Sequence, residues 1–276
     1  LSVLAPLHNP SNHAGIVATQ SVFPNAVQIA VFDTAFHHTI PKEVFMYGIP
    51  YELYEKHKIR KYGFHGISHA YIASQLKELN VRDALSAHLG SGSSITAIRN
   101  SHSVDTTMGF TPLDGLLMGT RSGEIDPQIP LFLMKEGHYS VDELDIMLSK
   151  KSGLLGLTGH SDLRDVWREA QQGNERCELA LEMLCYRIAY YLNALRTAVN
   201  PEIIVFTAGI GEGAWYVRER VCQYLHLDID DEANKQHREI ISSASSPIQV
   251  RIMKTNEELQ MHREAAQLLQ DNQYKA

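Results

Sequence analysis

An arginine held between glycines is the first candidate for chemistry in this chain. In the stretch SVDTTMGFTPLDGLLMGTRSGEIDP, residues 103–127, Arg121 lies within GTRSG, where small neighbours leave a guanidinium uncovered. Such a group is either an anion clamp or a solvated surface cation. Two further glycine turns, AHLGSGSS (87–94) and FTAGIGEG (206–213), follow strand-like apolar runs and can aim backbone N–H groups at phosphate oxygens. Gly-Ser clusters also serve as plain hairpin turns. Three anion-ready turns in one chain nevertheless suggest a nucleotide enzyme.

Other residue types support or compete with that reading. Asp33 ends the apolar run VQIAVF (27–32), where a strand's carboxyl end would place a metal-organising carboxylate, a base, or an ordinary turn or cap residue. His65 and His69 in FHGISH have the spacing of a zinc pair, but Gly66 stands where HExxH requires Glu and no third ligand is evident. A hydrogen-bond donor aimed at an anion suits His65 better, with a satisfied core histidine as the competing reading. GIGEGA matches the dinucleotide pattern GxGxxA at Gly209, Gly211 and Ala214, with Asp228 near the spacing of a ribose acid. That gives an oxidoreductase alternative using NAD, although the sequence downstream holds a single convincing strand. Glu257 opens the last helix, where a first-turn acid also favours the helix dipole.

Composition narrows the classes. A chain of 276 residues with 44% hydrophobic residues can bury a large core, expected as two lobes. Its net charge of −7, without a Lys/Arg block, argues against a nucleic-acid partner. No apolar run approaches the roughly 20 residues that span a bilayer, and no signal-peptide layout is present, so no membrane partner and a cytoplasmic location are expected. Cys177, Cys185 and Cys222 lack CxxC spacing and read as reduced, buried thiols. The chain opens without Met and around Pro6 and Pro10 reads as a loop in mid-fold, so an upstream segment is expected.

The elements that would position these residues alternate strand with helix, which implies α/β architecture. Strands are expected at 27–32, in ALSAHL and SITAIRN as a hairpin around the 87–94 turn, at 202–207 and at 248–253. Helices are expected at 68–80 with a serine cap, over PQIPLFLMKEG, at 140–150 with a Ser140/Glu143 capping box, and at 162–171. A long helix over 175–199 carries Leu181, Leu184, Ile188, Leu192 and Leu195 as a stripe, with Tyr186, Tyr190 and Tyr191 available for a subunit interface. Helices follow at 215–225 and near 231–241, and a last one opens with Thr255 and Glu258 spaced as a capping box.

Together, LAPLHNP (4–10), VFDTAFH (31–37), YGFHGISH (62–69), AHLGSGSS, DTTMGFTPLDGLLMGTRSGEIDP, FTAGIGEG and TNEEL (255–259) resemble, in order, the motifs of the acetate kinase family, which includes propionate kinases. The resemblance implies an actin/hexokinase-like two-lobed α/β fold with an incomplete N-terminal lobe. Residues 1–34 and 255–276 would belong to that lobe, and 35–254 would form the C-terminal nucleotide-binding and dimerisation lobe of a homodimer. It further implies Asp33, His65 and Arg121 as catalytic residues, and ATP contacts at His88, Leu89, Gly90, Ser91 and Gly92, at Asp162, Leu163 and Arg164, and at Gly209, Ile210, Gly211, Glu212 and Gly213. Leu7, His8, Phe64 and Pro112 would form the substrate pocket, and Glu257 would hold Mg²⁺, with Mn²⁺ as an alternative. Ser91, Ser122 and Gly213 stand where the family commonly has Asn, Cys and Asn, and the family's N-terminal serine-rich turn and second substrate arginine have no counterpart here.

The reaction so implied transfers a phosphoryl group from ATP to acetate or propionate, reversibly, giving an acyl phosphate and ADP. A carboxylate with a pKa of about 4–5 is already ionised at neutral pH, so the nucleophile needs no base. The site must instead neutralise charge and align two anions, which suits Arg121, His65 and a divalent ion. The competing reading is a non-catalytic remnant that dimerises and binds nucleotide.

Overall fold

A computed structural model describes residues 9–271, with side chains from residue 12 onward. Helix α1 (Asn9–Val22) leads to a 3-10 turn at Ala35–Thr39, the short helices α2 (Lys42–Phe45) and α3 (Tyr51–His57), and α4 (Gly66–Glu78). Strands β1 (Asp83–Leu89), β2 (Ser93–Arg99) and β3 (His102–Thr106) follow. Next come α5 (Gln128–Lys135), α6 (Val141–Lys150), α7 (Gly153–Thr158), α8 (Leu163–Gln171) and the long α9 (Glu175–Leu195). The chain continues through β4 (Ile203–Thr207), α10 (Ala208–Gly213), α11 (Trp215–Tyr224), α12 (Asp231–Lys235), β5 (Gln249–Ile252) and α13 (Glu257–Gln270).

One sheet, ordered β3-β2-β1-β4-β5, organises these elements. The β1–β2–β3 meander is antiparallel, whereas β4 and β5 run parallel to β1 and each other. Central β1 is buried along its whole length, which requires cover on both faces. Side-chain alternation sends Leu85, Ala87 and Leu89 toward α9, where Leu181, Leu184, Ile188, Leu192 and Leu195 form the anticipated stripe. Ala84 faces the other way, onto Ile72 and Leu76 of α4. Each of these two side chains is almost fully buried, worth about 1.5–3 kcal/mol.

That same alternation positions polar groups. Cross-strand pairs Ala84↔Ile98, Ser86↔Thr96 and His88↔Ser94 share the α4 face, so the apolar packing of α4 becomes polar toward the carboxyl end of β1. On α4 the positions 65, 69, 72 and 76 follow one helical stripe, which brings His65 and His69 to that polar end.

Several local expectations change. Residues 27–32 form no strand: among the described residues no chain lies alongside to complete a ladder, and Val27 and Phe32 are exposed. Pro10 lies in the first turn of α1, a place that tolerates its missing N–H, rather than in a loop. His65, not a serine, is the N-cap of α4, in the left-handed region at φ 56°. The AGIGEG segment coils into α10, and the helix expected to 241 stops at Lys235. Thr255 does not cap α13; Asn256 does, accepting from Leu259 N, because the Thr255 hydroxyl is engaged by Ser68 at 2.8 Å. The Ser140/Glu143 capping box forms in both directions, and Cys177, Cys185 and Cys222 are buried and free.

Candidate active site

Asp33 is fixed against the amino end of α4. Its carboxylate accepts from His65 N at 2.7 Å and Ile67 N at 3.3 Å, and its carbonyl accepts from Gly66 N at 2.8 Å. These are orphan donors of a helix's first turn, so a carboxylate there is stabilised by hydrogen bonds and by the dipole. Gly66 permits the approach: a Cβ at 66 would lie 2.2 Å from the Asp33 carbonyl oxygen.

The same anchoring sets the His65 ring. Its Nδ1 lies 2.9 Å from Ser94 Oγ, and the ring stacks on His88 at 4.3 Å between centroids. Its Nε2 points toward the hairpin turn, 3.2 Å from where a Cβ on Gly92 would be, and Nη1 of Arg121 lies 3.4 Å from that point. His65 and Arg121, far apart in sequence, therefore meet at one turn, with Asp33 bound to the His65 backbone.

Arg121 is partly buried, and burial lowers its pKa from the ordinary value. Its Nη1 donates to Pro112 O at 3.0 Å, and among the described residues no carboxylate pairs with it. The flanking glycines serve backbone packing rather than exposure. A Cβ on Gly123 would lie 2.4 Å from Leu116 O, and one on Gly119 3.0 Å from Ser161 O. Beneath the loop, Phe64 packs with Met108 and Met118 in a small apolar cluster, and the Met118 sulfur lies 3.8 Å from Arg121 Nη1. Phe64 and Pro112 thus border the arginine, while Leu7 and His8 lie outside the described residues.

The expected nucleotide contacts fall at the β1–β2 hairpin, the start of α8 and α10. His88 and Leu89 end β1 and are buried, Gly90 and Gly92 close the hairpin, and Ser91 is exposed at its tip, its carbonyl accepting from Gly119 N of the arginine loop at 3.4 Å. Asp162 caps α8 and pairs with Arg164, whose guanidinium holds the carboxyl down to about 2. Leu163 buries its side chain in the core, leaving only backbone for a ligand. In α10, Gly209 and Gly213 have open space where side chains would be, whereas Gly211 packs on the Phe206 backbone. Ile210 leans on the core, and Glu212 accepts from Ala208 N at 3.0 Å. Thr207 Oγ1, at the end of β4, is buried without a hydrogen-bond partner among the described residues.

Two supporting features escaped the sequence reading. Arg218 is fully buried and donates to the carbonyls of Gly211 and Glu212 and to Asn234, fastening the carboxyl end of α10. Burial lowers its pKa to about 10, still a cation at neutral pH. The second is the hydroxyl–imidazole cluster of Ser68, His69, Ser86, His88, Ser94 and Thr255. The signal for it was polar residues recurring at even positions within otherwise apolar strands.

Glu257, exposed at the start of α13, has its carboxyl pKa pushed up first by the surrounding protein and then by the charge of Asp33. Among the described residues no cluster of three or more His, Cys, Asp or Glu could hold a metal. Glu257, whose charge is disfavoured beside the Asp33 carboxylate, does suit together with it a hard divalent ion completed by water and phosphate oxygens.

The GIGEGA motif does not sit in a dinucleotide-binding fold. The sheet is half antiparallel meander, and Asp228 lies beside the antiparallel bridge Ile229↔Ser242, not at the end of a strand.

The sequence model of the Acetokinase family matches residues 1–263. The acetate kinase of Carboxydothermus hydrogenoformans is 47% identical, the match covering 96% of this chain and 70% of that protein. Among solved structures, a propionate kinase from Francisella tularensis superposes with a TM-score of 0.92 at 44% identity, covering 95% of this chain and 70% of that one. Porphyromonas gingivalis acetate kinase gives 0.90 at 38% identity, with 97% and 70% covered. The chain belongs to the acetokinase family, with the mixed α/β sheet of the actin/hexokinase-like fold.

Proposed function

We propose that this protein transfers a phosphoryl group between ATP and a short-chain carboxylate, forming an acyl phosphate and ADP, reversibly and in line. The observation that carries the reading is the approach of His65 Nε2 and Arg121 Nη1 to one point on the Gly92 turn, with Asp33 locked onto the His65 backbone. A guanidinium without a carboxylate partner among the described residues and an imidazole at one turn are suited to the equatorial charge of a phosphoryl transition state. Arg121 and His65 bind and orient the transferring group, and the glycine turn at 90–92 and the short glycine-rich helix α10 take the nucleotide phosphates, with Asp162 to Arg164 as a further nucleotide contact. Asp33 and Glu257 would hold a divalent ion, Mg²⁺ or Mn²⁺, which supplies charge neutralisation to the phosphates when bound.

Phe64 and Pro112 line the acyl side. Acetate and propionate differ there by one methylene, worth about 1–3 kcal/mol. Residues 35–254 are assigned to the nucleotide-binding lobe, and 1–34 with 255–276 to the second lobe. Exposed Tyr186 and Tyr190 of α9 and Tyr224 of α11 support assembly as a homodimer through the nucleotide-binding lobe. No described helix is long and apolar enough to cross a membrane, and the unbridged thiols fit a reducing cytoplasm.

The test is acyl phosphate formation, trapped as hydroxamate, from ATP and acetate or propionate with each divalent ion. Product that vanishes in chelator and in Arg121→Ala supports the reading. A folded, nucleotide-binding protein that yields no product with any short carboxylate overturns it in favour of a non-catalytic binder.

A further inference from the structure

The geometry points to a positioning role for His69 and Ser94: they fix the His65 imidazole in its Nε2–H tautomer, the form that presents a donor to the anion at the Gly92 turn. The kinetic consequence rests on the kinase reading above; the tautomer itself does not.

Four groups form one hydrogen-bonded line. Ser86 Oγ lies 3.0 Å from His69 Nδ1, His69 Nε2 lies 2.9 Å from Ser94 Oγ, and Ser94 Oγ lies 2.9 Å from His65 Nδ1. Each hydroxyl has one proton, and a neutral imidazole has one N–H and one acceptor nitrogen. The line can therefore run in two directions, because the remaining arrangement, with Ser94 accepting from both rings, would leave its own fully buried hydroxyl proton without an acceptor among the described residues. In the first, Ser86 donates to His69 Nδ1, His69 Nε2–H donates to Ser94, and Ser94 donates to His65 Nδ1, leaving the His65 proton on Nε2. In the second every proton is reversed, His65 carries its proton on Nδ1, and the Ser86 proton at the far end must find another acceptor.

Burial decides between them. Ser86 is fully buried in β1, and among the described residues its hydroxyl has no hydrogen-bond partner besides His69. The second direction would strand a buried hydroxyl proton without an acceptor, whereas the first satisfies every member. His69 is also fully buried, and burial, then the neighbouring His37, His88 and His65, lower its pKa well below the usual value. It thus stays neutral, as a ring that must both donate and accept requires. His65 Nε2 faces the point that Arg121 Nη1 also approaches, so a tautomer set from Ser86 in β1, through His69 and Ser94, reaches the reacting anions.

The experiment is long-range ¹H–¹⁵N correlation of histidine side chains in ¹⁵N-His-labelled protein, with steady-state kinetics on the same samples. In the unmodified chain His65 is expected to show a pyrrole-type Nε2 and a pyridine-type Nδ1. Ser94→Ala should mix the tautomers and lower kcat by roughly 10- to 100-fold, as for other residues that orient a functional imidazole, while Ser94→Thr, which keeps the hydroxyl, should restore most of both. Ser86→Ala, which removes the terminal donor, should also shift the His65 ring toward a mixture. A merely structural role for Ser86 would lower the melting temperature and leave the His65 nitrogens unmoved, and that result overturns the inference. So does Nδ1–H as the main tautomer of the unmodified chain, a measurement that needs no variant to fold. Should the unmodified chain make no acyl phosphate, the kinase reading fails while the ring nitrogens still judge the tautomer.

Discussion

The side chains of His65 and Arg121 converge where Gly92 has only a hydrogen: a methyl there would lie 3.2 Å from His65 Nε2 and 3.4 Å from Arg121 Nη1. Gly92 is not among the positive-φ glycines, so alanine fits its backbone and the consequence falls on its neighbours. Gly92→Ala should displace the imidazole and guanidinium by a few tenths of an ångström. Misplacements of about 1 Å cost on the order of 10²-fold, so a drop in kcat of roughly 10- to 100-fold is expected, with a melting temperature within about 2–4 °C of the parent. Unchanged kcat would show that the turn does not define the site.

Arg121→Ala tests the cation itself. If it stabilises the transferring group, turnover should fall by about 10³- to 10⁵-fold. Because Arg121 pairs with no described carboxylate, its loss leaves no buried charge unpartnered, and unfolding free energy should change little. Lysine supplies charge without the planar fork and should recover only part of the rate. A rate loss that merely follows a loss of folded protein would assign the residue to structure.

Local chemistry explains what the sequence made legible. The Ser140/Glu143 box, the hairpin at 87–94 and the α9 stripe all depend on residues a few positions apart, and all are found. What failed depends on partners far away. The run at 27–32 has strand composition but no neighbouring strand among the described residues, and Thr255 has cap spacing but bonds Ser68, 187 residues distant. HSVDT, too polar to announce itself, becomes β3 because β2 pairs with it. Within the site, motif positions pointed to Asp33, His65 and Arg121. The Ser86–His69–Ser94 line and the buried Arg218 emerge only once β1, α4 and α11 are packed.

Buried neutral histidines make the fold acid-sensitive. His37 has its pKa lowered to about 4, chiefly by burial, and His88 to about 3, again by burial and then by His65. Unfolded histidines bind protons from about pH 6.5 downward, so the unfolded state gains protons that the folded state refuses. Stability is then complete above about pH 6.5 and declines as pH falls toward the folded values, by roughly 3 kcal/mol for His37 alone. His37→Phe should flatten that decline between about pH 6.5 and 4, while lowering stability at neutral pH through the partners lost, Ser103 Oγ and Phe64 O. Denaturant titrations at several pH values check this, and parallel curves for variant and parent would refute it.

Glu257 should respond to pH with the opposite sign and be reset by metal. Its folded pKa is raised by the surrounding protein and by Asp33, so the metal-free folded state holds the proton more tightly than the unfolded chain. Stability in chelator should therefore decrease as pH rises from the ordinary glutamate value, about 4.3, through the raised folded one. Glu257→Gln removes this loss and should match or exceed the parent's melting temperature in chelator near neutral pH. A divalent ion held by Asp33 and Glu257 would relieve their repulsion, so millimolar Mg²⁺ should raise the parent's melting temperature and leave Glu257→Gln nearly unmoved. Equal stabilisation of both proteins would remove Glu257 from the metal site and leave its carboxyl as a first-turn acid of α13, interacting only with the helix dipole.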